Sequence, residues 1–386
     1  MRFSEITGQE QTKKKLIQTY LEGRVSHAQL FYGPEGNGKL ALAIAYSQLL
    51  NCQDPIRGEG EVVDSCGVCP SCRQHQKLIH PDLHFVYPIA TTRKVSKRPQ
   101  SKDFLEDWRS LLIENNGHIT LQEWYDKIGM ENKQGIINAD DCNDIIKTLG
   151  YKSYESEYKV MIIWMAEKLY YAAAPKLLKI LEEPPDKTLF ILVSEDPDSV
   201  IATIRSRTLL VRIPKFHEKD IARYLVDNTG IDEDHAHRMA RISAGNLKLA
   251  IQRVKSEEED RLYFESFRDW MRQCVQPRIP ELVAYCSELS KNNREYHKAF
   301  FQYALKIVQA CASSNFAMLP VLAREEEEHL FITRFSKFIT QETLPEFMEQ
   351  FNQAIYHIER NAYPQILYLD LSFKIIRLFK SVRNTA

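Results

Sequence analysis

Short apolar runs alternate with helical patterns over the first half of the chain. Runs of this length, largely free of charge, are typical of buried parallel strands. The segments between them repeat apolar residues at the helical period, so the alternation predicts an α/β fold: a parallel sheet covered by helices on both faces. The five predicted strands are Gln29–Tyr32, Leu83–Tyr87, Val160–Trp164, Leu189–Val193 and Leu209–Ile213.

After Pro214 the pattern is helical to the end of the chain. Gly245 is a predicted helix stop, and no heptad repeat is sustained, which indicates a helical bundle and not a coiled coil. The predicted domains are residues 1–213 (α/β), 214–258 (small and helical) and 259–386 (all-helical). The clearest helices in them are Ile221–Asn228, Asp234–Ala244, Tyr296–Cys311, Leu344–Arg360 and Pro364–Ser381.

Between Ala90 and Gly135 the alternation breaks, and we interpret this segment, about residues 90–135, as an insertion. It begins with the polar, basic stretch Thr91–Lys102 and continues with two helical patterns, Phe104–Ile113 and Leu121–Ile128. The basic stretch is either a DNA-contacting loop or an ordinary solvated surface. Both interpretations stay open on the sequence alone.

A glycine-rich loop follows the first predicted strand. Gly33 to Lys39 reads G-x-x-x-x-G-K and precedes the helical run Ala41–Leu50, which is the setting that a phosphate-binding loop requires. Leu40 stands where such loops carry a Ser or Thr that ligates Mg²⁺. The loop therefore either cradles a nucleotide, ATP or ADP, without completing a metal shell, or is only a packing turn. The candidate nucleotide-binding residues here are Gly33, Pro34, Gly36, Gly38 and Lys39.

The third predicted strand ends in Trp164 and Met165. P-loop ATPases carry an acidic pair at this point, one member holding Mg²⁺ and the other polarising the attacking water. Neither side chain can do that chemistry, and the nearest acid, Glu167, lies two residues further on. The sequence therefore predicts no ATP hydrolysis by this chain alone.

Four cysteines have the spacing of a metal site. Cys66, Cys69 and Cys72 follow a C-x₂-C-x₂-C pattern, and Cys52 precedes them by 13 intervening residues. A Cys₄ set is typical of structural Zn²⁺, so we predict a zinc module over about residues 52–72. His75 continues the spacing and is the alternative fourth ligand.

The bulk composition limits the other possibilities. The remaining cysteines are isolated, which favours buried free thiols over disulfides: Cys142, Cys274, Cys286 and Cys311. Lys plus Arg number 51 against 52 Asp plus Glu, and this balance argues against a stand-alone protein that wraps DNA. No apolar run approaches ~18–20 residues, and no targeting segment is recognised, so we expect a cytoplasmic protein without a membrane span.

Taken in order, the motifs resemble one family. The segments that carry the resemblance are His27-Ala28, Gly33–Lys39, the four cysteines, Leu177–Pro185 and Ile204–Arg207. Together they are similar to the bacterial clamp-loader subunits of the AAA+ class, most of all to the delta-prime group of DNA polymerase III, which is related to gamma/tau. The resemblance covers about residues 1–250. The rest is similar only as a helical collar-like, oligomerisation domain, and residues 214–258 correspond to the helical lid.

The resemblance implies a place in an assembly. Clamp loaders are described as ATP-driven hetero-pentamers that open a sliding clamp and place it on primer-template DNA. In the family the gamma/tau subunits hydrolyse ATP, whereas the delta-prime machinery is degenerate. Leu40, Trp164 and Met165 place this sequence with the second group. The implied partners are gamma/tau and delta subunits, the clamp and, through the assembly, DNA at the replisome.

Two further site residues come from the resemblance. Ser206-Arg207 resembles the family's Ser-Arg-Cys motif, with Thr208 in place of Cys, and this implies an arginine finger that acts on the neighbour's γ-phosphate. A structural ion pair of Arg207 is the alternative. Lys248 stands where the family's second sensor usually has Arg, and the alternative is an ordinary exposed helix residue.

Three functions compete. The leading one is a non-hydrolysing clamp-loader subunit that scaffolds the complex and donates Arg207. An active gamma/tau-like ATPase is favoured by the retained loop glycines and Lys39, and opposed by Leu40, Trp164 and Met165. A zinc-containing DNA-binding module would suit the cysteines and the stretch Arg93–Arg98, but the neutral overall charge counts against it.

Overall fold

A computed structural model describes residues 1–58, 61–130, 133–315 and 326–385. The chain divides into two compact units, Met1–Val254 and Lys255–Ala386. The division falls within one helix, Leu247–Val275. The predicted limits of three domains stay predictions.

The first unit contains the predicted parallel sheet. Its strand order is β4-β5-β6-β1-β7, and every neighbouring pair is parallel. All five predicted strands are confirmed within one or two residues. A two-stranded antiparallel hairpin, β2–β3, was not predicted. The strands are β1 Ala28–Tyr32, β2 Ile56–Gly58, β3 Glu61–Asp64, β4 Leu83–Val86, β5 Lys159–Trp164, β6 Thr188–Ser194 and β7 Leu209–Arg212.

Helices cover both faces of this sheet, as the apolar strands require. The helices of the unit are α1 Glu10–Leu21, α2 Lys39–Leu50, α3 Pro70–Gln76, α4 Leu105–Glu114, α5 Leu121–Lys127, α6 Ala139–Gly150, α7 Ala174–Glu182, α8 Ala202–Arg205, α9 Glu218–Thr229 and α10 Glu233–Ile242. One face of the sheet packs on α2 together with α4 and α5, and the other packs on α6 and α7. A separate small core lies within residues 216–254.

The insertion leaves and rejoins the sheet at one point. Ile89 and Ile136 form an antiparallel bridge, with N–H···O distances of 3.1 and 3.0 Å. The two helices inside, α4 and α5, lie where their apolar patterns predicted them. Each buries one tryptophan completely, Trp108 in α4 and Trp124 in α5. The insertion is therefore a packed part of the first unit.

The second unit is all-helical, as predicted, and has an aromatic-rich core. The buried Trp270 indole donates to Ser372 Oγ at 2.8 Å, which satisfies the one polar atom of that ring. No helix in the described part of the chain is long and apolar enough to cross a membrane. The helices are α11 Leu247–Val275, α12 Ile279–Leu289, α13 Arg294–Asn315, α14 Glu326–Phe335, α15 Leu344–Glu359 and α16 Pro364–Thr385.

Candidate nucleotide and metal sites

The glycine-rich loop has the backbone of a phosphate-binding loop. It joins β1 to the N-terminus of α2, and Gly38 caps the helix with φ of 80°. Gly36 has φ of 72°, and a Cβ there would lie 1.8 Å from Asn246 Oδ1. Left-handed geometry and the close approach both require glycine at this position. Gly33 and Pro34 complete the turn, as the sequence indicated.

Lys39 is turned toward the loop itself. Its Nζ donates to the Pro34 carbonyl at 3.0 Å and lies 3.9 Å from Glu195 Oε1. Burial lowers the pKa of Lys39, and the carboxylate of Glu195 opposes that shift. The lysine that would reach nucleotide phosphates is thus already satisfied by protein groups.

The positions that hold the metal in an ATPase are apolar and buried. Leu40 lies inside the first turn of α2, and Trp164 and Met165 end β5 with side chains almost wholly inaccessible to solvent. Glu167, the nearest acid, lies beyond the end of β5, and its Oε1 accepts the Glu195 N–H at 3.2 Å. Neither a hydroxyl nor a carboxylate stands at the two ligand positions.

Residues of the insertion lie against the loop. A cavity of about 20 Å³ is lined by the loop residues Gly36–Leu40 and by Gly117–Ile119 of the insertion, together with Trp164, Glu195 and Lys248. The His118 ring is 3.4 Å from the place where a Cβ of Gly38 would be. The sequence had given residues 90–135 no such location.

Lys248 is buried, so the alternative of an ordinary exposed helix residue is wrong. Its Nζ lies 2.7 Å from Glu123 Oε1 and donates to Asn115 Oδ1 at 2.9 Å. Both partners belong to the insertion. Glu123 also closes a capping box with Thr120 at the start of α5. The Thr-x-x-Glu pattern is visible in the sequence, but nothing there tells which cation Glu123 meets.

Arg207 is half-buried and lies two residues beyond the end of α8. Its Nε donates to Glu182 Oε1 at 2.5 Å, and its Nη1 donates to the Thr203 carbonyl at 2.8 Å. Glu182 is the last residue of α7. Ser206 is exposed, and its hydroxyl donates to the Thr203 carbonyl. In the free chain Arg207 therefore makes the surface ion pair that the sequence left as an alternative.

The four cysteines of the zinc prediction lie together. The sulfurs of Cys52, Cys66, Cys69 and Cys72 are all within 4.8 Å of one another, and a tetrahedral Zn²⁺ with bonds of about 2.3 Å needs separations of about 3.8 Å. The Cys66 and Cys72 sulfurs are 3.9 Å apart. This donor set fits a thiophilic ion that has no open coordination position.

Backbone amides support the same sulfurs. The N–H of Cys66 donates to Cys52 Sγ at 3.2 Å, and that of Cys69 donates to Cys66 Sγ at 3.3 Å. Such bonds favour the thiolate form that binds metal. The hairpin β2–β3 and helix α3 hold the four residues in place.

His75 is not a member of this cluster. Its Nδ1 pairs with the Ser71 carbonyl at 3.0 Å, and its ring lies on that of His80, with centroids 4.3 Å apart. The other four cysteines are buried free thiols, as expected. Of the two candidates for the fourth ligand, the geometry brings Cys52 to the other three sulfurs.

Comparison with known families gives one match over residues 8–217, just over half of the chain. The matching family is described as "DNA polymerase III, delta subunit". The match contains the glycine-rich loop, the four cysteines, the insertion and Arg207.

Individual relatives point to the same set of proteins. DNA polymerase III subunit gamma/tau of Mycobacterium tuberculosis is 30% identical over 206 residues, 53% of this chain and 27% of the relative. Subunit delta' of Bacillus subtilis is 27% identical over 253 residues (65% and 60%), and that of Escherichia coli is 28% identical over 238 residues (62% and 57%). The chain thus spans between about a quarter and three fifths of the length of these relatives.

Proposed function

Because this chain belongs to the DNA polymerase III delta-subunit family, we propose that it is a clamp-loader subunit that does not hydrolyse ATP and that acts on a neighbour's site. The family membership supports the assembly. The replaced metal positions support the absence of hydrolysis, and they are the single observation that carries this proposal. The proposed partners are gamma/tau and delta subunits in a hetero-pentamer, the sliding clamp and primed DNA, in the cytoplasm.

The loss of hydrolysis follows from the residues at the loop and the strand end. Mg²⁺ requires hard oxygen ligands, and Leu40, Trp164 and Met165 provide none. Without the ion, the charge that develops on the transferred phosphoryl group has no counter-charge at this site. The glycines and Lys39 keep the shape of the loop but not its catalytic chemistry.

Arg207 is the residue that we propose to act in trans. A guanidinium is permanently charged and offers a planar fork of donors suited to phosphate oxygens. In the free chain that fork is paired with Glu182 in a partly exposed position. An exposed ion pair is worth only about 0–1 kcal/mol, so a neighbour's γ-phosphate can displace it.

Zn²⁺ is the ion that we propose for the four cysteines. A Cys₄ set with all sulfurs within 4.8 Å matches a structural zinc site, and such sites contribute directly to folding. Held there, the ion would join the end of α2 to the hairpin and α3 and would take no part in phosphate chemistry.

An active gamma/tau-like ATPase is the second candidate, favoured by the 30% identity to the mycobacterial subunit. A zinc-containing DNA-binding module is the third. It draws on the basic stretch 91–102, where Lys94 already pairs with Asp107 at 2.9 Å. Both differ from the leading proposal in what the isolated chain should do: turn over ATP in the second case, bind DNA without partners in the third.

The test is ATP turnover in a reconstituted clamp loader with clamp and primed DNA. Partner ATPase subunits are assayed alone, with this chain, with its Arg207→Ala variant and with an Arg205→Ala control, an arginine two positions earlier in the chain. We expect the wild type and the control to stimulate ATP turnover by the partner subunits. With the Arg207 variant this turnover should fall by up to ~10³–10⁵-fold, the range found for other arginines that act in trans. Turnover by this chain alone would contradict the proposal, as would equal stimulation by the Arg207 variant.

A further inference from the structure

The cavity at the glycine-rich loop is too small for a ligand. Sites that hold small molecules measure about 300–1,000 Å³, whereas the cavity between the loop and the insertion measures about 20 Å³. Gly117, His118 and Ile119 line this cavity opposite the loop, and they belong to the segment Asn115–Thr120 that connects α4 to α5. We call these six residues the plug.

The plug contacts the loop where a phosphate would approach. Phosphates bind at the N-termini of such helices, close to exposed backbone N–H groups. Here a Cβ at Gly117 would be 3.2 Å from Ala41, in the first turn of α2, and the His118 ring lies beside Gly38. The His118 ring in turn lies 6.3 Å from that of Phe216 and 6.2 Å from that of Tyr224. Protein atoms therefore enclose the helix N-terminus from both sides.

A buried ion pair holds the plug. Lys248 reaches Glu123 at 2.7 Å and Asn115 at 2.9 Å, so its ammonium group contacts the first residue of the plug and the first turn of α5 that follows it. The Lys248 side chain is 5% exposed and that of Glu123 is 29% exposed. A buried lysine stripped of its partner is strongly unfavourable, so the closed arrangement is favoured over one in which Lys248 faces an empty pocket.

Trp164, at the end of β5, packs against α4, which in turn packs against α5; these are the helices on either side of the plug. The rings of Trp164 and Trp108 have centroids 5.1 Å apart, and Trp124 meets Trp108 edge-on at 5.1 Å. The Trp124 indole donates to the Pro88 carbonyl at 2.8 Å. Aspartate or glutamate at position 164 would place a carboxylate under these rings. The residue that replaces a metal-holding acid thus also anchors the insertion.

We propose that the P-loop pocket of this chain binds the chain's own Asn115–Thr120 segment in the place of a nucleotide, with the Lys248–Glu123 pair as the latch. The apparent affinity for ADP or ATP is then the intrinsic affinity reduced by the small fraction of molecules in which the plug is open. This inference does not rest on the clamp-loader assignment, and a negative result in the reconstituted assay would leave it untouched.

The test is calorimetric titration of the full-length chain with ADP and with ATP. The unlatched variant combines Asn115→Ala with Glu123→Gln, since Gln removes the charge but still suits a capping box. Glu114→Gln is the matched control, because it breaks the exposed pair with Lys127 between the same two helices, away from the loop. We expect the unlatched variant to bind ADP at least ~10-fold more tightly than the wild type and the control.

Two outcomes overturn the inference. Equal, saturable binding of ADP by wild type and variant would show that the plug does not compete, and no binding by either would show that the loop is incompetent without it. Should the unlatched variant fail to fold, hydrogen exchange of the wild type decides. We expect slow exchange at residues 115–120 that ADP leaves unchanged, whereas rapid exchange there contradicts a closed plug.

Discussion

Arg207 and Glu182 form an ion pair that joins the turn after α8 to the end of α7, with Nε donating to Oε1 at 2.5 Å. The N–H groups that bind this carboxylate cannot bind a neighbour's phosphate at the same time. The pair is partly exposed on both sides. Glu182 is therefore a competitor for the proposed function of Arg207, and the competition can be measured.

Glu182→Gln should raise the stimulation of partner ATPases by up to about fivefold, because the competing charge is worth about 0–1 kcal/mol. The free energy of unfolding should stay within about 0.5 kcal/mol of the wild type. Steady-state ATP turnover with clamp and primed DNA measures the stimulation, and denaturant unfolding measures the free energy of unfolding. Glu183→Gln, next to it on the chain, is the control. A loss of stimulation would show that Glu182 orients Arg207 instead of competing for it.

Metal content tests the cysteine cluster. The wild type should contain about one zinc per chain, and Cys52→Ser should lose it with a lower melting temperature, because metal binding is coupled to folding. Elemental analysis after dialysis is the measurement. Cys286→Ser, a buried thiol of the second unit, should retain the ion, and so should His75→Ala. If His75→Ala lost zinc and Cys52→Ser kept it, His75 and not Cys52 would be the fourth ligand.

Restoring the lost metal positions should not restore hydrolysis. The double substitution Leu40→Thr and Met165→Asp returns a hydroxyl and one carboxylate of the lost acidic pair, while Trp164 stays in place against the insertion. Asp tolerates the left-handed backbone at Met165, where φ is 57°. The plug would still fill the pocket, so we expect no ATP turnover above the level of the wild-type chain. Adding Asn115→Ala and Glu123→Gln is the informative comparison. Activity of the double variant by itself would count against a closed plug.

Acid should weaken the first unit through His118. Burial, together with the nearby charge of Lys248, lowers the pKa of His118 from 6.5 to about 4. Between these values the unfolded chain binds the proton and the native chain does not, so stability is complete above pH 6.5 and falls as the pH approaches 4. From pH 6.5 to about pH 5 the loss amounts to ~2 kcal/mol.

Denaturant unfolding near pH 7 and near pH 5 measures this loss, with His118→Asn as the comparison. Burial also lowers the pKa of His75 and His84, to about 3 and about 4, so the wild type alone would report a sum. Because both are present in the two proteins, the difference between the two pH dependences isolates His118. Identical pH dependences would mean that His118 is protonated or solvated in the native chain.

The sequence was sufficient for features that are local in the chain. The five strands, the loop turn and the cysteine spacing each depend on residues near one another, and apolar runs or short motifs report them directly. Helix α6 was missed, although Asn138 caps it with two side-chain hydrogen bonds and its buried residues Cys142, Ile145 and Leu149 follow the helical period. The hairpin β2–β3 is too short for a clear alternation.

The plug could not be predicted from the sequence, for a different reason. Lys248 and Asn115 are 133 positions apart, and a polar contact over that distance leaves no periodic trace. In the sequence, Trp164 indicated only a lost metal ligand, because its neighbour Trp108 stands in a segment with no recognised counterpart. Only the folded chain shows that Trp164 and Lys248 both contact the insertion.

The bridge between Ile89 and Ile136 has a consequence for the history of the chain. It brings the two ends of a long segment to hydrogen-bonding distance, so removing the segment would leave a gap that a short turn can close. The entropy cost of a loop rises only slowly with its length. The geometry of its two ends is therefore compatible with the gain or the loss of the whole segment without the movement of a strand.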